Sequence, residues 1–200
     1  MSLSQSGNGV TSGGGRPRSP KGIARRQQIL ARAMSVFAEK GARGTSLRAI
    51  AEDVGVSHGA LLHYFPSQEA LLLEVLQENE YRPDSHLVGG VVGLMASAAE
   101  RNVTIPGLVS LYTIMLAGSS DPANTRSHDY FADRFRRLWK ELVDEIRCGQ
   151  MDGTFRRDVD PASMAALVVA ACDGLQTQWM LEPDVDMAQS LMLLNLILDP

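Results

Sequence analysis

Apolar residues recur along most of this chain at intervals of three and four, the spacing that places them on one face of an α-helix. The clearest series lies past the middle of the chain, at Phe131, Phe135, Leu138, Trp139, Leu142, Val143 and Ile146. No segment alternates between apolar and polar residues over the length of a strand. The pattern therefore predicts an all-α fold with about nine helices.

Capping and breaking residues predict where these helices begin and end. In the first part of the chain, Gly41 is expected to stop the first helix, and two short helices follow within residues 46–64. Ser67 is expected to cap a fourth helix that ends before Pro83. The remaining helices are expected over 85–101, from Pro106 to near Gly118, up to Gly149 and the Asp152–Gly153 turn, from Asp160–Pro161 to about Leu181, and over 185–198.

The segment from Thr45 to Leu72 meets the steric requirements of a helix-turn-helix. Ala51 lies where the two helices cross and only a small side chain fits, and Gly55 lies in a turn that needs a left-handed backbone. Ser57 can cap the second helix by accepting a hydrogen bond from its free N–H groups. With Leu47 as the first position, the places where apolar side chains must pack the helices together hold Ile50, Val54, Val56 and Leu61.

Charge is divided unevenly along the 200 residues, whose formal net charge is −4. Residues 1–65 hold 9 Lys/Arg and 3 Asp/Glu, for a charge of +6, whereas residues 66–200 hold 10 and 20, for a charge of −10. A basic N-terminal third on an acidic body suggests a head that binds a polyanion, and the alternative is a chance asymmetry in a helical protein.

Composition excludes several other classes of protein. The two cysteines, Cys148 and Cys172, are far apart and form no CxxC pair, which argues against a disulfide scaffold or a zinc site. No signal peptide is visible, and the apolar run 165–172 is too short to cross a bilayer, so a cytoplasmic location is expected. Residues 1–20 are expected to form a disordered arm, whose basic end comprises Arg16, Arg18, Lys21, Arg25 and Arg26.

The string GVSHGALLHYFPSQEALL, preceded by RRQQILARAMSVFAEKGARGTSLRAIAEDV, resembles the N-terminal domain of TetR-family transcriptional regulators from about Ile23 to Gln77. The resemblance implies a DNA-binding domain over 21–66 and a ligand-binding and dimerisation domain over 67–200. It also implies a homodimer that binds double-stranded DNA at a palindromic operator and responds to an unknown small-molecule effector.

The same resemblance implies which residues contact DNA. They are Thr45, Ser46, Arg48, Ser57, His58, Gly59, Ala60, His63, Tyr64 and Gln68. Leu62 and Gln68 stand where the family commonly has a tyrosine and a lysine that contact phosphates, so we expect weaker backbone anchoring, offset by the basic arm. His58 and His63 lie on different parts of their helix without an acidic or thiol partner nearby in sequence, so no metal site is expected.

The last two predicted helices are apolar almost all round, which a single buried stripe does not explain. They contain MAALVVAAC at 164–172 and LMLLNLIL at 191–198. Either they lie at the centre of the monomer or they also pack against a second copy, and the family resemblance implies a dimer through helices 161–181 and 185–198. The segment GTFRRDVDP…DGLQTQWMLEPDVDM loosely resembles the C-terminal domain of a repressor subgroup that includes regulators of choline–betaine genes.

A ligand pocket is expected among the fifth to eighth helices. Methionine suits an adaptable pocket, although methionine and aromatic residues at helical spacing are also typical of a plain core. The polar Asp173 and Gln176 need partners on an apolar helix, and they either bind a ligand or pair across the dimer. The candidate ligand-binding residues are Met95, Tyr112, Met115, Phe131, Phe135, Trp139, Cys172, Asp173 and Gln176.

These features favour a ligand-responsive transcriptional repressor that leaves its operator when a small molecule binds. The sequence contains no G-x-S-x-G, HExxH, P-loop or dinucleotide-binding motif, so neither an enzyme nor a cofactor is expected. An architectural or weakly specific DNA-binding protein without an effector is the alternative.

Overall fold

The computed structural model describes residues 20–80 and 90–200, and the regular structure within these ranges is entirely helical. No helix in this part of the chain is both long and apolar enough to cross a membrane. The helices are α1 (Pro20–Gly44), α2 (Leu47–Val54), α3 (His58–Tyr64), α4 (Gln68–Glu78), α5 (Gly90–Thr104), α6 (Leu108–Gly118), α7 (Thr125–Asp152), α8 (Pro161–Leu181), α9 (Met187–Met192) and α10 (Asn195–Leu198). The all-α prediction is confirmed, and α9 and α10 together occupy the predicted ninth helix.

Glycines and caps end the helices close to where the sequence places them. Gly41 interrupts the helical backbone of α1 at φ 66°, and one more turn follows it. The sixth helix begins at Leu108 rather than at Pro106, because Gly107 adopts a left-handed backbone at φ 80° and becomes the N-cap. The predicted arm before residue 20 and the start of the predicted fifth helix at 85–89 lie outside the described residues.

The helices enclose two hydrophobic cores. The first joins α1, α2 and α3 and includes the fully buried Ile29, Ile50 and Leu61. It continues through α4 into α6 and α7, where it contains Leu111 and Phe131. The second core holds α5, α7, α8, α9 and α10 together. Because α4 packs on both α1 and α7, it connects the N-terminal helices to the rest of the molecule.

A carboxylate on α4 caps the start of α7. Glu69 Oε1 accepts hydrogen bonds from the backbone N–H of Ser127 at 2.8 Å and from its hydroxyl at 2.7 Å. Asn124, the N-cap residue of α7, makes no capping hydrogen bond with its own side chain. The first turn of a helix has unpaired N–H groups and a partial positive charge, so Glu69 supplies a cap from another helix.

Candidate functional site

Helices α2 and α3 form the predicted helix-turn-helix. Gly55 has a left-handed backbone at φ 72° and ψ 38°, and the N–H of Val56 donates to the Ala51 carbonyl at 2.9 Å. Ala51 is 1 % exposed at the helix crossing, and Ile50 and Leu61 are fully buried. The steric roles predicted for these positions are therefore confirmed.

Three serine hydroxyls fix the starts of the short helices. Ser46, Ser57 and Ser67 each accept a hydrogen bond from the backbone N–H three residues later, at 3.1, 3.1 and 3.0 Å. The capping predicted for Ser57 and Ser67 is confirmed. Because each hydroxyl still has a proton to donate, Ser46 and Ser57 can also bind an acceptor outside the protein.

The solvent face of α3 is formed mainly by small and polar residues. Ser57, His58, Gly59, Ala60 and His63 are exposed, whereas Leu61 points inward. The face is not wholly polar, since Leu62 is 40 % exposed. Tyr64 is half-buried, and Phe65 is fully buried in the first core. One side of this helix is therefore open to solvent, while Leu61 on the other side holds it against the core.

The side chain of Thr45 does not belong to this surface. Thr45 is 1 % exposed, and its hydroxyl donates to the Gly41 carbonyl at 2.7 Å, where it secures the chain between α1 and α2. The hydroxyl of Thr45 is therefore engaged within the protein, and the DNA contact expected at Thr45 stays a prediction. Arg48 extends into solvent and forms an i,i+4 pair with Glu52, and Gln68 is half-buried at the start of α4.

A basic groove lies beside the helix-turn-helix. Lys21, Arg25 and Gln28 on α1 line it together with Tyr64, and its volume is about 540 Å³. Arg25 Nη2 also donates to the carbonyl of Val54 at 3.0 Å, which holds its guanidinium near the end of α2. The sequence placed Lys21 and Arg25 at the end of a disordered arm, whereas they lie on the first turns of α1.

Arg26 has a structural role on the same helix. It pairs with Glu74 on α4, and its guanidinium lies over the ring of Phe65, 5.2 Å from the centroid. The pair lies in the interior between α1, α3 and α4 and joins the head to the connecting helix. Sequence reasoning grouped Arg26 with the basic arm because periodicity alone does not reveal a partner 48 positions away.

The second candidate site is a cavity of about 770 Å³ enclosed by α4 to α8. Its volume is within the range of pockets that bind small molecules in proteins, which is about 300–1,000 Å³. Part of its wall is apolar, and the rest carries amide, hydroxyl and charged side chains. The apolar wall residues include Leu76, Leu94, Met95, Ala98, Leu108, Val109, Leu138 and Leu142.

Five of the nine residues predicted to bind a ligand line this cavity, namely Met95, Tyr112, Cys172, Asp173 and Gln176. The other four lie elsewhere. Phe131 and Met115 are buried in the first core, and Phe135 packs against it. Trp139 is 42 % exposed, and its ring N–H donates to the Ala162 carbonyl at 3.3 Å.

The stripe of α7 that lines the cavity is offset from the stripe that the sequence suggested. It comprises Tyr130, Arg134, Arg137, Leu138, Glu141, Leu142, Asp144, Glu145 and Cys148. Five of these nine side chains are charged, so an apolar periodicity does not detect them. Their spacing of three and four was the signal that could have found them.

Asp173 and Gln176 both have partners within their own chain. The hydroxyl of Tyr112 donates to Asp173 Oδ2 at 3.3 Å, and Arg134 Nη1 donates to the same hydroxyl at 3.3 Å. Asn102 donates to Gln176 Oε1 at 2.9 Å. Both side chains thus belong to a polar network on the cavity wall.

Burial changes the acidity of three groups in this network. It raises the pKa of the Asp173 carboxyl above its ordinary range, an effect that Arg134 and the Tyr112 hydroxyl partly oppose. Desolvation also raises the pKa of the Cys172 thiol to about 12 and raises the pKa of Tyr112. The Cys172 thiol and the Tyr112 hydroxyl are therefore neutral at pH 7.

We expect Asp173→Asn to become more stable relative to the wild type as the pH rises. A raised pKa means that the folded protein holds the Asp173 proton more tightly than the unfolded chain. The stabilisation of the fold that results is full below about pH 4 and disappears above the folded pKa. The asparagine has no such dependence. Urea unfolding of both proteins between pH 4 and 8 measures their free energies of unfolding. If the stability of Asp173→Asn relative to the wild type stays constant or falls as the pH rises, the raised pKa of Asp173 is contradicted.

No three His, Cys, Asp or Glu side chains converge as a possible metal site within residues 20–80 and 90–200.

Comparison with known proteins identifies the family. Residues 29–75 match the model for bacterial regulatory proteins of the tetR family, and residues 117–198 match the model for the C-terminal domain of BetI-type transcriptional repressors. The transcriptional repressor KstR2 of Rhodococcus jostii is 31 % identical over 150 residues, which cover 68 % of this chain and 70 % of that protein. The chain belongs to the TetR family. It is accordingly a ligand-responsive, DNA-binding transcriptional regulator.

Solved structures of TetR-family and related regulators share the fold. A transcriptional regulator from Saccharomonospora viridis, determined in complex with choline, superposes with a TM-score of 0.68 and 25 % identity, over 86 % of this chain and 94 % of that one. NalD of Pseudomonas aeruginosa, the secondary repressor of the MexAB-OprM multidrug efflux pump, superposes with a TM-score of 0.72 and 19 % identity, over 90 % and 98 %. The second likeness concerns the fold alone.

Proposed function

We propose that this TetR-family protein is a homodimeric repressor that binds a palindromic operator through two copies of α3. A small molecule in the cavity between α4 and α8 would release it from DNA. The observation that carries this proposal is that α4 connects the two sites. It begins beside the helix-turn-helix at Gln68, and the chain at its other end lines the cavity through Leu76, Asn79 and Glu80.

The exposed side of α3 supplies the contacts to base edges in this proposal, because a short helix with small residues at its start can enter the major groove closely. His58 and His63 can donate or accept hydrogen bonds there, and Gly59 and Ala60 permit close approach. Ser46, Arg48, Ser57, Tyr64 and Gln68 are proposed to contact phosphates. Lys21 and Arg25 in the basic groove are proposed to offset the weaker phosphate anchoring expected of Leu62 and Gln68, which replace the usual tyrosine and lysine.

Exposed apolar residues on α8 and, separately, on α10 support the homodimer. Leu167, Ala170, Gly174 and Leu181 lie on one outward stripe of α8, and Leu167 and Leu181 are 46 % and 78 % exposed. On the neighbouring C-terminal segment, Leu196 is 73 % exposed. Large apolar side chains exposed in such number mark a surface that another protein covers, and a second copy of the chain is the proposed cover.

The effector is proposed to act by changing the position of α4. Couplings between two sites are typically about 1–3 kcal/mol, which a small rearrangement of contacts can supply. The Glu69 cap on α7 and the arginines of α7 near Glu80 link α4 to a helix that forms one wall of the cavity. The choline complex of the Saccharomonospora viridis regulator supports a small-molecule site in a protein of this fold.

Selection of bound DNA from a random library tests the proposal as a whole. Two heads of a symmetric dimer should select a palindrome whose half-sites are about 34 Å apart, which is one turn of the double helix, or a multiple of it. Recovery of sequences without symmetry or preference, together with a steep salt dependence, would instead support a non-specific DNA-binding protein.

We expect the double variant Ser57→Ala, His58→Ala to bind the selected operator at least tenfold more weakly, since each specific base contact contributes about 1–3 kcal/mol. Fluorescence anisotropy with labelled operator measures the loss. Ser120→Ala, His128→Ala is a matched control, because both of its positions are exposed on the C-terminal domain. Circular dichroism checks that loss of the Ser57 cap has not unfolded α3. Unchanged affinity would show that α3 is not the recognition helix.

A further inference from the structure

Among residues 20–80 and 90–200, more carboxylates than guanidinium groups line the cavity. The chemical class of the effector can be inferred from this excess of negative charge, and the inference rests on the proposed function of the cavity. Two guanidinium groups, those of Arg134 and Arg137, face the cavity. The carboxylates on the same wall are those of Glu80, Glu141, Asp144, Glu145 and Asp173. A cleft lined mainly by one sign of charge concentrates ions of the opposite sign, so this wall favours a cation.

The surroundings of Arg134 have the composition of a cation-binding site. Its guanidinium carbon lies 5.1 Å from the centroid of the Tyr112 ring and 6.0 Å from that of Phe135. Its Nε is 3.7 Å from Glu80 Oε1, and its Nη1 donates to the Tyr112 hydroxyl. Aromatic faces and carboxylates are the groups that bind ammonium and guanidinium ions in proteins. The fold therefore builds a site for a cation and places one of its own side chains there.

The carboxylate of Asp173 has a single hydrogen bond, from Tyr112, in the described part of the chain. Arg134 forms its ion pair with Glu80, and no salt bridge to Asp173 is formed by the residues of 20–80 and 90–200. A half-buried carboxylate that no cation contacts directly is unfavourable, and Arg134 acts on Asp173 only across the Tyr112 hydroxyl. A ligand cation next to Tyr112 would supply a direct ion pair.

An anionic ligand fits the same wall less well. Arg134 and Arg137 are both directed at Glu80, each with a nitrogen 3.7 Å from Oε1. An anion would have to replace Glu80 between these two groups. It would also lie close to the remaining carboxylates of the wall, whose repulsion opposes binding.

We infer that the effector is an organic cation, whose charged group is held by Asp173 and the ring of Tyr112 in competition with Arg134. Its apolar part lies against Met95, Leu138 and Leu142. Displacement of Arg134 weakens the ion pair with Glu80, two residues beyond the end of α4. Arg134 then takes part both in ligand recognition and in the movement of α4.

Three probes of nearly equal shape test this inference on the full-length protein without DNA. They are phenyltrimethylammonium, the neutral isostere tert-butylbenzene and the anion benzenesulfonate. We expect the cation to bind at least about tenfold more tightly than either of the others, measured by calorimetry or ligand-observed NMR. Asp173→Asn should remove most of this preference and leave the affinity for tert-butylbenzene unchanged. Asp133→Asn is the matched control, because Asp133 is an exposed carboxylate outside the cavity wall.

Three results would overturn the inference: equal or tighter binding of the anion or the neutral probe, undetectable binding of the cation at millimolar concentration, and a cation preference that survives in Asp173→Asn. The proposed function is tested separately by adding the cation to the protein–operator complex. If the cation binds through Asp173 but the operator affinity is unchanged, the ligand class is supported and the effector response of the proposed function fails.

Discussion

Gly174→Arg should convert the proposed dimer into a monomer and weaken operator binding by about 100-fold or more, since two linked heads bind far more tightly than one. Gly174 lies at the centre of the outward stripe of α8. A long charged side chain there would hold two copies of α8 apart and would place a charge inside an apolar contact.

The same substitution should not harm the protomer. A Cβ added at Gly174 meets no atom within 4 Å, and the residue has an ordinary helical backbone. Replacing a helical glycine usually stabilises the helix by about 0.5–1 kcal/mol. A loss of operator binding in this variant is therefore a loss of assembly rather than of folding.

Light scattering coupled to size exclusion measures the mass, and circular dichroism with urea unfolding measures the fold. Ser97→Arg is the control, because it adds the same side chain at an exposed position of α5. A Gly174→Arg protein that keeps the dimeric mass and full operator affinity would exclude this face of α8 from the interface.

Glu69→Ala should lower the free energy of unfolding by about 1.5–3 kcal/mol, the usual contribution of a hydrogen bond to a charged group. The alanine leaves the N–H and hydroxyl of Ser127 without their acceptor, and Ser127 is only 2 % exposed. Water reaches this position poorly, so it replaces the lost bonds incompletely. The negative charge at the start of α7 is lost as well.

A double-mutant cycle with Ser127→Ala separates the two bonds. Ser127→Ala removes the hydroxyl bond and leaves the backbone N–H bond to Glu69 in place. Glu69→Ala should therefore still lower the free energy of unfolding in the Ser127→Ala background. Glu78→Ala is the control, because Glu78 is exposed on the same helix. A cost for Glu69→Ala no larger than that of the control would show that the cap contributes little to the link between α4 and α7.

This link also has a functional consequence. If α4 transmits the effector signal, Glu69→Ala should alter how strongly a bound cation reduces operator affinity, even where the variant remains folded. The measurement compares operator affinity with and without phenyltrimethylammonium at a temperature well below the unfolding transition of the variant.

Most of the head could be derived from local requirements. A turn that needs a left-handed residue, a crossing that accepts only a small side chain and serines that cap short helices are properties of a few neighbouring positions. Ala51, Gly55, Ser57 and Ser67 therefore have the roles that the sequence predicts. The burial of Thr45 could not be derived in this way, because it depends on how the end of α1 folds back over it.

The cavity was predicted less completely. Helical periodicity identifies an apolar face, but one face of α7 serves both cores and the cavity. Phe131 is therefore buried in the first core, while Arg134 and Glu141 line the wall between two cores. Which neighbour a residue meets depends on the crossing of α7 with α4, α6 and α8, and such crossings involve partners far apart in sequence.

The sequence by itself determined the helical class, most helix ends, the helix-turn-helix and the family, because these depend on interactions within a few turns of chain. Only the tertiary structure decided the partners of Glu69, Arg134 and Asp173. Each of these side chains meets a residue at least 22 positions away. A hydrogen bond or an ion pair needs atoms within a few ångströms of each other, and packing of whole helices sets those distances.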